Sequence, residues 1–252
     1  MWLLLLINLA GKVAAVAVGL KAPATALALW FGPDTLLAYH VFVPRAQGLV
    51  RMHRRFATTQ REVWLTIDDG PDPDDTPRIL VLLAAHNAHA TFFVIGEKVA
   101  AHPELVRAMV AAGHEVAHHT QTHPLYSFWC ASPTRLRCEL EAGMAALSAA
   151  GVRPTRFRPP AGLKNLWLGR SLAARGLECI GWSARGFELR RGDANAVVER
   201  VTRNLAPGAI LLLHEGPPLP PAIRVSAIGQ VLERLQQLGY RCVVPTPQQL
   251  AS

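Results

Sequence analysis

Glu62-Val63-Trp64-Leu65-Thr66-Ile67-Asp68-Asp69-Gly70-Pro71 decides the fold. A short run rich in β-branched and aromatic residues ends in two carboxylates and a Gly-Pro turn. It reads as a buried strand that delivers charge at its C-terminal end. Outward from it the pattern repeats. Further strands are predicted at 91–94, 115–117, 156–157, 179–182, 209–213 and 241–244. Helices are predicted between them at 76–86, 102–112, 133–149, 167–175, 194–205 and 222–238. Asn87, Gly113, Gly151, Gly176 and Gly239 follow these helical runs as stop residues. Strand–helix alternation implies an α/β fold with a mainly parallel sheet or barrel.

In such folds chemistry gathers beyond the C-terminal ends of the strands. Asp68-Asp69-Gly70-Pro71 follows the first strand, and His118-His119-Thr120-Gln121-Thr122-His123 follows the third. Arg158-Pro159-Pro160-Ala161-Gly162, then Arg185 and Glu188, then His214-Glu215-Gly216 follow later ones. Polar groups at five strand ends converge on one rim, which a purely structural domain does not require.

Those groups suffice for metal-assisted amide hydrolysis. Two imidazoles, His119 and His123, with one of the two aspartates would hold a divalent metal and leave open positions for a water and a substrate oxygen. The other aspartate could take a proton from that water. Arg158 would steady this carboxylate, His214 would protonate the leaving nitrogen, and Glu188 would orient His214. His118, beside His119, reads as a core or supporting histidine. Each element alone is a common turn, loop or core feature; their order and placement carry the reading.

The N-terminus differs from the rest. Residues 2–20 are apolar apart from Asn8 and Lys12, and residues 22–43 form a second apolar stretch broken at Gly32-Pro33-Asp34. The start lacks the basic region of a signal peptide, so residues 1–50 are expected to be a retained membrane anchor of one or two transmembrane helices, with a catalytic domain over 60–252. The net charge is +8, without zinc-finger spacing or a basic arm, so a membrane rather than nucleic acid is the expected partner. Arg51, Arg54 and Arg55 with His53 would face anionic lipid. The positive-inside rule puts the domain on the cytoplasmic side; a single span of opposite orientation puts it outside. The cysteines, Cys130, Cys138, Cys179 and Cys242, form no CxxC pair and are expected to be buried free thiols.

The strand-end motifs resemble those of the polysaccharide deacetylases, the NodB-like carbohydrate esterases of family four. Thr66 through Pro71 looks like their first motif, His119-Thr120-Gln121-Thr122-His123 their second, and Phe157 through Gly162 their third. Trp182 through Glu188 is similar to the fourth, Leu211 through His214 to the fifth, and Ala90 through Gly96 to the family's second strand. The resemblance implies a distorted (β/α) barrel and a hydrolase of carbon–nitrogen bonds other than peptide bonds. It implies Asp68 as general base, Asp69, His119 and His123 as metal ligands, Arg158 as the residue orienting Asp68, and His214 as general acid. It also implies an oxyanion held by the metal and the Ala161 N–H, with Pro160 beside it. The metal would be zinc, with cobalt, nickel or manganese as alternatives.

Two positions depart from the pattern. Ala161 replaces a tyrosine, and Glu188-Leu189 replaces Asp-Trp. With the anchor, the lost aromatics suggest a lipid-linked amino sugar beside polysaccharide or oligosaccharide as substrate. An O-acetyl esterase or deformylase on the same scaffold, and a non-catalytic carbohydrate-binding protein, are the alternative functions.

Overall fold

The computed structural model describes residues 2–188, 193–217 and 221–250. Two helices, α1 (Trp2–Val18) and α2 (Pro23–Phe42), precede the α/β body. Its strands are β1 (Met52–His53), β2 (Glu62–Gly70), β3 (Ala90–Val94), β4 (Glu115–His118), β5 (Arg156–Phe157), β6 (Glu178–Ile180), β7 (Ala184–Arg185), β8 (Ala209–His214) and β9 (Arg241–Cys242). Its helices are α3 (Thr76–Ala85), α4 (Gly96–Ala101), α5 (Pro103–Ala111), α6 (Pro133–Ala149), α7 (Leu168–Ala173), α8 (Ala194–Thr202), α9 (Pro221–Gln237) and α10 (Pro247–Leu250).

The strands follow the order β1-β6-β5-β4-β3-β2-β8-β7, with β9 added to β2, and every ladder is parallel. The chain from residue 178 to 185 begins against β5 and ends against β8, curling the sheet into a distorted (β/α) barrel. Gly181 N donates to the His53 carbonyl at 2.7 Å and Ser183 N to that of Ile210 at 2.9 Å along this passage.

Alternation along β2 sorts its side chains. Val63, Leu65 and Ile67 join the cluster under α3, α5, α8 and α9, whereas Trp64 packs inside the curl with Phe93, Ile210 and Leu212. Burying each large side chain of this kind stabilises the fold by roughly 1.5–3 kcal/mol. The inward face is not wholly apolar. Trp64 Nε1 donates to Thr91 Oγ1 at 2.7 Å, and the Arg156 guanidinium lies 4.5 Å from the Trp64 ring centroid. The same alternation carries Thr66 and then Asp68 to the rim.

The predicted strands and helices recur with ends shifted by a few residues. Of the run expected at 179–182, only Cys179 and Ile180 are strand, at the end of β6; Gly181 and Trp182 lead on towards β7. The stop residues Asn87 and Gly151 close their helices in left-handed backbone, at φ 48° and 88°.

The second apolar stretch is not broken at Pro33: α2 runs through it. Pro33 cannot donate to the Leu29 carbonyl four residues back. That carbonyl faces Gly11 of α1, where a Cβ would come within 2.7 Å of it. Close approach of the two helices therefore accommodates the proline. The polar interruptions also meet. Asn8 Nδ2 donates to Asp34 Oδ1 at 2.5 Å and Lys12 Nζ pairs with Asp34 Oδ2 at 3.0 Å. Among the described residues, one helical stretch, Leu3–Lys21, is long and apolar enough to cross a membrane.

One further expectation changes. Cys179 and Cys242 are buried free thiols, but Cys130 and Cys138 are exposed. Of the basic residues read as facing lipid, His53 belongs to β1, Arg54 Nε donates to the Trp182 carbonyl at 3.1 Å, and Arg55 Nη1 reaches the Pro207 carbonyl at 3.4 Å.

Candidate active site

Asp68 and His214 stand opposite one another in the β2–β8 ladder, both on the inward face at the C-terminal end. The ladder to β3 shifts register between Asp68 and Gly70, and Asp69 adopts φ 74°. This bulge lets consecutive carboxylates serve one site instead of opposite faces of the sheet. Gly70 is required here, since a Cβ would lie 1.8 Å from Glu215 Oε1. Lys98 Nζ donates to the Asp69 carbonyl at 2.5 Å and fixes the bulge from α4.

His119 and His123 come from the loop after β4. Thr120 and His123 have φ of 67° and 51°, and Thr120 Oγ1 accepts from His123 N at 3.0 Å. Glu139, buried on α6, holds the middle of the loop. Its carboxylate accepts from Gln121 N at 3.0 Å, from Thr122 N at 2.9 Å and from the Thr122 hydroxyl at 2.7 Å. Sequence reasoning missed this residue. The available signal was an acid on the apolar stripe Leu136, Leu140, Gly143 and Leu147.

Asp69 Oδ1 lies 3.4 Å from both His119 Nε2 and His123 Nε2. It is buried and has no hydrogen-bond partner among the described residues. Tetrahedral ligands about 2.1 Å from a zinc ion would be separated by about 3.4 Å, so the donor set and spacing fit a divalent metal. All three ligand atoms fall within 4.8 Å of one another. His119 Nδ1 lies 2.7 Å from the Arg158 carbonyl oxygen; an N–H there leaves the Nε2 lone pair facing Asp69. Burial opposes charge on Asp69, but the neighbouring imidazoles of His119, His214 and His123 outweigh it and hold its pKa far below the usual carboxylate value. Burial, helped by the charge of His119, lowers the His123 pKa to about 4.

Arg158 is fully buried and crosses the inside of the barrel. Nη1 donates to Asp68 Oδ1 at 2.6 Å and Thr66 Oγ1 at 2.7 Å, Nη2 to the Gly181 carbonyl at 2.8 Å, and Nε to that of Ile180 at 3.2 Å. Asp68 Oδ2 stands 3.7 Å from His119 Nε2, on the side of the metal ligands. Across the cleft, His214 Nδ1 is 3.1 Å from Glu188 Oε1, so the longer glutamate arm reaches. Burial works against charge on His214, but the Glu188 hydrogen bond and carboxylate, with Asp69 and Asp68, raise its pKa to about 9.

Asp68, Asp69, His119, His123, Glu188 and His214 border a cleft of about 400 Å³, together with Leu125, Ala161, Trp182, Phe187 and Leu212. Ala161 sits at φ 51° on its wall. Pro160 is buried and does not line the cleft; its carbonyl accepts from Leu163 N at 2.9 Å. His118 is a core residue. Its Nε2 is 3.1 Å from the Leu140 carbonyl, its ring abuts Phe157, and burial pushes its pKa to about 3. Leu189 lies outside the described residues.

The sequence model of the family described as Polysaccharide deacetylase matches residues 56–180. A chitooligosaccharide deacetylase of Bradyrhizobium sp. (strain ANU 289) is 38 % identical over 201 residues, covering 75 % of this chain and 90 % of the relative. The chain belongs to the polysaccharide deacetylase family. A peptidoglycan-N-acetylglucosamine deacetylase of Bacillus cereus is 34 % identical over 188 residues, covering 73 % of this chain and 86 % of the relative. Among solved structures, a family 4 carbohydrate esterase from Streptomyces lividans in complex with acetate superposes with a TM-score of 0.68. It is 31 % identical, with 77 % of this chain and 97 % of that one covered. The (β/α) barrel and the class of hydrolase acting on carbon–nitrogen bonds other than peptide bonds follow from this membership.

Proposed function

We propose that this deacetylase removes an N-acetyl group from an amino sugar in a metal-dependent reaction, anchored to the cell membrane by α1 and α2. The observation that carries the reading is the placement of Asp68 and His214 opposite each other beside Asp69, His119 and His123. Deacetylases of chitooligosaccharide and peptidoglycan among the relatives support the amino-sugar substrate.

Asp69, His119 and His123 would hold the metal, with zinc the first choice among zinc, cobalt, nickel and manganese. The bound ion would supply Lewis acidity to the scissile carbonyl and to a water. Asp68 would accept a proton on Oδ2 from an attacking water, because Arg158 occupies Oδ1. His214, protonated at neutral pH beside Glu188, gives a proton to the departing amine. Ala161 lines the cleft, and its N–H would receive the developing oxyanion. An amine leaves poorly without a proton, so a protonated imidazole favours amide over ester cleavage. The basic residues following α2 favour a cytoplasmic catalytic domain.

The test is acetate release by the full chain from N-acetylglucosamine oligomers, after chelation and after each metal is restored. Release that depends on metal supports the reading; a folded, metal-loaded sample that releases none overturns it.

A further inference from the structure

The end of α2 is fastened to two walls of the cleft. On the first wall, buried Lys164 caps the helix: Nζ donates to the Val43 carbonyl at 2.7 Å and the Pro44 carbonyl at 3.3 Å, and its N–H to that of Val41 at 3.1 Å. A lysine at a helix C-terminus satisfies carbonyls the helix leaves open. Pro44 also packs on Gly162, next to the cleft residue Ala161: a Cβ there would lie 3.0 Å from Pro44 and 2.7 Å from Trp182.

The second wall is the segment after His123. Leu125 lines the cleft, and the Trp129 ring lies 5.1 Å from the Phe42 ring of α2. Buried Asn165 Nδ2 donates to the Phe128 carbonyl at 3.1 Å and ties this wall to the first. Tyr39, Phe42 and Trp129 are each exposed by more than two fifths, and Tyr126 by 89 %. Exposed Trp and Tyr rings beside an apolar helix are the side chains that settle at a membrane–water interface.

We propose that this junction holds the mouth of the cleft at the bilayer surface, and that the substrate is an acylamino sugar carried on a lipid embedded in that bilayer. The substrate class rests on the deacetylase reading above; the placement of the cleft does not. A sugar confined to the same membrane meets the cleft at a high effective concentration, which a free oligosaccharide does not.

The test uses the full chain, metal-loaded, in phospholipid vesicles. N-acetylglucosamine linked to a long-chain lipid and free chitooligosaccharide are supplied at equal bulk concentration. Deacetylation of the lipid-linked sugar is expected to be about a hundredfold faster. Placement is read separately with a fluorophore on Tyr126→Cys, after Cys130→Ser and Cys138→Ser remove the exposed thiols. Lipid-borne nitroxides are expected to quench it. They should not quench the same probe on Arg153→Cys, an exposed position before β5 at the opposite end of the barrel. An unquenched probe at 126, or equal quenching at both positions, overturns the placement. Equal or faster turnover of the free oligosaccharide overturns the substrate class. No turnover of either with quenching intact sinks the deacetylase reading, and the substrate class with it, while the placement stands.

Discussion

His119 Nδ1 lies 2.7 Å from the carbonyl oxygen of Arg158, the residue whose guanidinium holds Asp68 Oδ1 at 2.6 Å. One residue thus serves the proposed metal ligand through its backbone and the proposed base through its side chain. The two services can be separated. Arg158→Lys keeps the carbonyl but loses the planar fork that reaches four acceptors. It should retain metal and lose activity by about two orders of magnitude, the worth of a well-placed base. Metal content and kcat/KM on the same preparation check this, and loss of metal would tie the ligand to the guanidinium.

The two aspartates should respond differently. Asp68→Asn is expected to keep metal and lower kcat by roughly two to four orders of magnitude. Asp69→Ala should lose both metal and activity, since Oδ1 sits between the two imidazoles. Metal analysis after dialysis distinguishes them; the opposite pattern would exchange their roles.

The pH profile should end on His214. Its pKa is raised to about 9, so the proton donor is present at neutral pH and lost as pH rises through that value. By the same sign, its contribution to folding is full below the ordinary histidine pKa, declines as pH rises from there towards about 9, and is gone above it. A bound cation offsets the Asp69 and Asp68 share of the shift and leaves that of Glu188. Glu188→Gln should therefore move the alkaline limb of kcat/KM to lower pH. An unmoved limb in the variant would remove Glu188 from this role.

Glu139 touches no metal ligand side chain, yet its loss should be felt at the metal. Glu139→Ala strands two backbone N–H groups and the Thr122 hydroxyl of the loop between His119 and His123. Each buried donor left unpaired costs about 1–3 kcal/mol. Metal affinity should fall by about 10–100-fold, as for other groups that support ligands from behind. Competition with a chelator of known affinity measures this; unchanged affinity would confine Glu139 to the fold.

The sheet was legible where strands are long and buried on both faces. Residues 62–70 and 209–214 announce themselves, but β1 and β7 have two residues each and no period to read. Helix α4, six residues opening on a glycine, is equally silent. The break expected at Pro33 shows a different limit: the compensation lies on another helix, at Gly11. At the site, residues that follow strands were found because topology gathers them. Glu139, Lys98 and Lys164 were not, because each acts on backbone that only the folded chain brings near.

Asp69, Thr120, His123 and Ala161 all hold left-handed backbone at the cleft without being glycine. That conformation costs about 1–2 kcal/mol per residue. Glycine would relieve it, but at Asp69 and His123 it would delete a proposed ligand, and at Thr120 the oxygen that receives His123 N. Ala161 alone is free to change without such a loss. Directed evolution for heat resistance should therefore collect Ala161→Gly early and leave the other three untouched.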